Sequence, residues 1–144
     1  MSEFIEVTEH IAAPPEAIWP YLTEPQLHAR WMGTRVELDA RPGGVYSAWM
    51  KEGLRSSGEF VELDPPRRLV FTWGWDHDPL VTPGSTRVEV TLEPEGDGTL
   101  VRLRHHDLPT PESCEHHTMG WRQYLSRLAI VATGGNPGPD PNAA

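Results

Sequence analysis

The chain has 144 residues, 38% of them hydrophobic and 23% charged, a length that fits one domain better than two. No apolar run approaches the roughly 18 residues of a membrane span, and the acidic opening MSEFIEVTEH lacks the basic and apolar regions of a signal peptide, so a cytoplasmic globular protein is expected. Twelve basic against 21 acidic residues leave a net charge of −9, which argues against nucleic acid as a partner, and one cysteine, Cys114, excludes an internal disulfide or a thiolate-rich zinc site.

In chain order, Glu3 to Ile11 alternates Ile5 and Val7 with polar neighbours, as an edge strand with one wet face does. After AAPP, Pro15 can open a short helix with Ile18, Trp19 and Leu22 on one side. PQLHARWM forms a second, with Leu27 and Trp31 four apart. Both are too short to stand alone. They need a larger surface to lean on.

A series of strands supplies it. TRVELDA places Val36 and Leu38 together, and VYSAWMK places Tyr46, Ala48 and Met50 on one face and Val45 and Trp49 on the other. GEFVELDPP stops at a Pro-Pro break. RRLVFTWGW then carries Leu69, Phe71, Trp73 and Trp75 at period two, followed by TRVEVTLEP and, after a GDG turn, TLVRLRHH with Val101, Leu103 and His105 in step. One face of this antiparallel sheet is wet and the other covered. The cover is a helix from Thr110, whose Thr-Pro-Glu start offers an N-cap and a first-turn proline, to about Ala132. Trp121, Leu125, Leu128 and Ala132 form its apolar stripe, with His117 one turn earlier and Arg122 and Arg127 off it. The class is α+β: a curved antiparallel sheet of about six or seven strands on a long C-terminal helix, with two short helices after the first strand. Residues 3–133 form the domain. GGNPGPDPNAA, residues 134–144, reads as a disordered tail.

Six tryptophans among twelve aromatic residues are the compositional feature to explain. Trp31, Tyr46, Met50, Phe71, Trp73, Trp75 and Trp121 fall on inward faces or their rims, where each either packs the core or walls a pocket. Trp19 is assigned to ordinary packing. His105, in parity with Val101 and Leu103, and His117 are inward polar groups that either bond within the protein or meet a ligand. A metal is not expected, because His116 and His117 are adjacent on a helix, about 100° apart, and the HEXXH spacing is absent. Cys114 sits beside Glu112 and Glu115, which oppose thiolate formation, and no G-x-S-x-G elbow or phosphate-cradling glycine loop occurs. No catalytic residue is assigned. WDHD, from Trp75 to Asp78, reads as a solvated turn, with a role at the pocket mouth as the alternative.

IEVTEHIAAPPEAIWPYLTEPQLHARWM, PGGVYSAWM, GEFVELDPPRRLVFTW, TLVRLRHHDL and HHTMGWRQYLSRL, in that order, resemble the activator-of-heat-shock-protein-90-ATPase homologue family of the START-related superfamily. The resemblance implies a helix-grip fold with a cavity between sheet and long helix, holding a small apolar or aromatic ligand and needing no cofactor. It supports His105 and His117 as positions of the family pattern, and Leu125, on the apolar stripe of the long helix, joins the expected ligand wall. It also brings two alternatives: an enzyme of the cyclase, aromatase or hydrolase type with His105 as acid or base, and a co-chaperone-like module that contacts a chaperone. A homodimer would form through an exposed edge strand or the outward Trp49.

Overall fold

The computed structural model describes residues 4–143; Glu3 and Ala144, which the sequence reading placed at the start of the first strand and the end of the tail, lie outside the described residues. Period-two alternation produces seven antiparallel strands: β1 (Phe4–Ile11), β2 (Arg35–Leu38), β3 (Val45–Lys51), β4 (Leu54–Asp64), β5 (Arg68–Trp73), β6 (Thr86–Glu95) and β7 (Gly98–His106). They form one sheet in the order β1-β7-β6-β5-β4-β3-β2, so β1 is an edge strand as its wet face foretold. Register aligns the apolar parities across neighbours. Val7, Leu103, Val90 and Leu69 form one buried row, and Phe60, Phe71, Val88 and His105 form the next. The opposite parity is polar: Glu6 accepts from Arg104 at 2.7 Å and from Arg102 at 3.1 Å, and Arg68 meets Glu89 at 2.8 Å. These partly exposed pairs each contribute little stability and keep that face wet.

Among the described residues three α-helices pack with the sheet: α1 (Pro15–Thr23), α2 (Pro25–His28) and α3 (Pro111–Ala132). At α3, Thr110 Oγ1 accepts from the Ser113 amide at 3.0 Å while Ser113 Oγ accepts from the Thr110 amide at 3.1 Å. This reciprocal cap occupies two of the amides that a helix start leaves without partners. Trp121, Leu125 and Leu128 are buried as the stripe requires, joined by Tyr124 and Val131. Among the described residues no helix is long and apolar enough to cross a membrane.

Two expectations are corrected. Arg127 is buried rather than off the stripe: its Nε donates to the Trp31 carbonyl at 2.9 Å, and Nη1 and Nη2 donate to the carbonyls of Pro137 and Gly138 at 3.0 and 2.8 Å. The segment read as a disordered tail is therefore docked. Its Asp140 is also buried, accepting from the Gly33 amide at 2.8 Å, the Asn142 amide at 2.7 Å and the Tyr124 hydroxyl at 2.9 Å. Glycine and proline content keeps α-helix and strand out of this segment, whose only regular element among the described residues is the single 3-10 turn Pro141–Ala143. It does not rule out an irregular segment whose polar groups find partners.

Candidate functional site

The β3–β4 hairpin, the end of β5, the loop that follows it and the first half of α3 border a cavity of about 510 Å³ that is open to solvent on one side. Trp73, Trp75 and Trp121 form its aromatic wall, and Met50, Leu54 and Met119 add aliphatic and thioether surface. Alternation along β3 and β5 aims Met50 and Trp73 inward, and helical period places His117 and Trp121 one turn apart on α3. The loop is held close because Gly74 lies against the Thr82 carbonyl where a Cβ would overlap, and the Trp75 amide donates to the Val81 carbonyl at 2.7 Å. It brings His77 and Asp78 to the cavity, so WDHD is part of the site's rim rather than only a solvated turn. On α3, Gly120 faces the cavity, and a Cβ built there meets no heavy atom within 4 Å. Gln123 and, from the docked tail, Asn142 complete the polar lining.

Deeper between sheet and helix only about 10 Å³ remains, against Trp31, Tyr46, Phe71 and Leu125. That is room for at most one water. Tyr46 and Phe71 stack with centroids 3.9 Å apart at 14°, and Phe60 meets Tyr46 edge-on at 5.6 Å. The ten expected ligand residues thus divide. Met50, Trp73, Trp75 and His117 line the large cavity; Trp31, Tyr46, Phe71 and Leu125 line the small gap; Trp121 borders both; His105 borders neither.

Hydrogen bonding explains where the histidines and tryptophans went. The Trp121 indole N–H donates to His105 Nδ1 at 3.0 Å, so the proton of a neutral His105 ring sits on Nε2 and donates to Thr86 Oγ1 at 2.8 Å. Thr86 passes its own proton to the Trp73 carbonyl at 2.7 Å. Every side-chain polar atom of this Trp121–His105–Thr86 relay has a partner, and burial, then the nearby His117, hold the His105 pKa well below its ordinary value. His117 uses the opposite tautomer: Nδ1–H donates to the Ser113 carbonyl at 2.8 Å, and Nε2 accepts from Trp75 at 3.1 Å and Trp73 at 3.4 Å. Two indole donors on one nitrogen oppose its protonation, and burial lowers its pKa as well.

The sequence reading missed a third such pair. His28 Nδ1 donates to the Met32 carbonyl at 3.2 Å and its Nε2 accepts from the Tyr46 hydroxyl at 2.7 Å; burial lowers its pKa to about 4. The helix expected over PQLHARWM ends at His28, and Trp31 follows it in a turn, its ring 4.7 Å from the imidazole, so the i, i+4 pairing of Leu27 and Trp31 obscured the histidine. Gly120, Gln123 and Asn142 were missed too, because a glycine in a helix and an amide in a glycine-proline segment carry no period that points to a cavity. Among the described residues no three His, Cys, Asp or Glu side chains converge as a metal site needs.

The chain was compared with known proteins. No curated protein matches it significantly. Among solved structures, an AHSA1-like protein of Rhizobium etli is 42% identical over 98% of this chain and 88% of that one, with a TM-score of 0.76. CalU16 of Micromonospora echinospora is 28% identical over 96% of this chain and 78% of that one, with a TM-score of 0.77. An HSP90 activator of Plasmodium falciparum, 22% identical over 90% of this chain and 96% of that one, shares the fold with a TM-score of 0.75. The model of the Activator of Hsp90 ATPase homolog 1-like protein family matches residues 12–133, most of the helix-grip domain just described, and the chain belongs to that family.

Proposed function

We propose that this protein binds a small apolar or aromatic molecule in the cavity between the β3–β4 hairpin, the loop after β5 and α3. The observation that carries this is the state of the three wall tryptophans. All three indole N–H groups are spent on His105 and His117, so what Trp73, Trp75 and Trp121 have left to offer a guest is hydrocarbon and π surface. A cavity of about 510 Å³ is of the size that holds a small organic ligand. Ser113, Gln123 and Asn142 supply the few polar groups that orient one. Both nitrogens of His105 are engaged within the protein, which supports binding over acid-base chemistry at that residue.

The test is titration with a neutral aromatic probe, naphthylmethanol, followed by calorimetry and by tryptophan emission. Wild-type protein should bind it with a change in emission. Gly120→Phe, which sends a ring from an unobstructed Cβ position into the cavity, should abolish binding while leaving a cooperative unfolding transition. Undiminished binding by Gly120→Phe would refute this location.

A further inference from the structure

The chemistry of the guest can be narrowed further, an inference that rests on the binding reading above. We propose that the cavity is selective for charge as well as shape: it accepts a cationic aromatic, such as an aryl-alkyl amine, in preference to a neutral one and rejects an anionic one, with Asp78 as the specificity-determining residue.

Asp78 is the one carboxylate among the lining side chains, and no lysine or arginine lines the cavity among the described residues. The carboxylate is held in place. Its Oδ1 accepts from the amides of Leu80 at 2.8 Å and Val81 at 3.3 Å, which orients the side chain from its own loop and leaves Oδ2 outside both bonds. Asp78 is one of the charges acting on the lining His117, where it raises the pKa against the larger effect of burial. Arg55, on the neighbouring strand β4, does not neutralise it: that guanidinium is directed to Ser47 Oγ at 2.8 Å, Asp76 Oδ2 at 3.5 Å and the face of Trp49.

A second carboxylate stands behind the other end. Asp140 accepts from the Tyr124 hydroxyl, and Asn142 Nδ2 donates to that same hydroxyl at 2.8 Å; Tyr124 and Asn142 both line the cavity. Asp140 is shielded by those bonds and by the Arg127 that packs under the tail, so it adds little selectivity by itself. It does ensure that neither end of the cavity offers an anion a positive partner. The aromatic wall acts in the same direction, because ring faces attract cations and repel anions. The imidazoles that face the cavity are His77, His116 and His117.

Three probes of one shape separate the claims: naphthylmethylamine, naphthylmethanol and naphthoate, titrated calorimetrically at about pH 8. The amine should bind about tenfold more tightly than the alcohol, naphthoate should be weakest, and added salt should erode the amine's advantage without weakening the alcohol. Asp78→Asn keeps an Oδ1 acceptor for the loop amides and should remove most of the amine's advantage over the alcohol, leaving only the part that the aromatic wall supplies. Equal affinities for all three probes in wild-type protein, or a tighter naphthoate, overturn the charge preference and leave the cavity as a binding site. An amine advantage undiminished in Asp78→Asn overturns the assignment to that residue. Failure of all three to bind overturns this inference together with the reading it rests on.

Discussion

Acidification is expected to unfold this protein through its buried imidazoles, and His28 gives the effect a magnitude. In the folded chain its pKa is about 4 against an ordinary value of 6.5, because the ring is buried and its Nε2 already accepts the Tyr46 proton. In the unfolded chain the ring is free to protonate. Stability is therefore complete above the unfolded pKa, and it falls as pH drops from about 6.5 towards about 4, where the unfolded state binds a proton that the folded state refuses. A shift of that size corresponds to about 3 kcal/mol once the whole window has been crossed. His105 and His117, both lowered, act in the same direction. Urea unfolding at several pH values measures the slope directly. Each neutral buried imidazole contributes up to about 1.4 kcal/mol per pH unit, so three should make the slope several times steeper than one ring allows. His28→Gln keeps an acceptor for Tyr46 and has no proton to refuse, so its slope should be smaller by about one proton. Constant wild-type stability across this window, or an unchanged slope in His28→Gln, would refute the neutral, donor-locked state assigned to these rings.

Three further outcomes follow from single contacts. Gly120→Ala should stabilise the protein by roughly 0.5–1 kcal/mol in urea unfolding, since a mid-helix glycine is replaced where the Cβ meets no neighbour. Asp140→Ala should cost about 1–3 kcal/mol and raise amide exchange at Asn142, because it strips the Gly33 amide and the Tyr124 hydroxyl of an acceptor; a stability equal to wild type would show that the docked tail carries none of the fold. Thr110→Ala should cost about 1 kcal/mol by removing the acceptor that closes the first turn of α3, measured by thermal unfolding.

Position along the chain was readable wherever a local rule applied. Alternation located β3 at VYSAWMK and placed Tyr46, Ala48 and Met50 inward, and all three are buried. Thr110 and Pro111 announced the start of α3, whose last residue is Ala132 as expected. The outward Trp49 is half-buried only because Arg35 and Arg55 lie over its ring at 3.9 and 4.5 Å. Parity also turned His105 and Trp121 inward, but parity says which way a side chain leaves the backbone and not what it meets.

Strand and helix identity, the inward faces and the family pattern are encoded in short stretches of this chain, because period, capping and turn chemistry act over a few residues. The division of the aromatic set is not. Tyr46 and Phe71 stack and close the interior, whereas Trp73, Trp75 and Trp121 border an open cavity, and that outcome depends on how a curved sheet, a helix and a loop fit together. The same holds for Arg127 and Asp140, whose partners Trp31 and Gly33 lie about a hundred residues away in sequence. Folding alone brings those polar groups within bonding distance, and it turns a glycine- and proline-rich end into part of the wall of the proposed site.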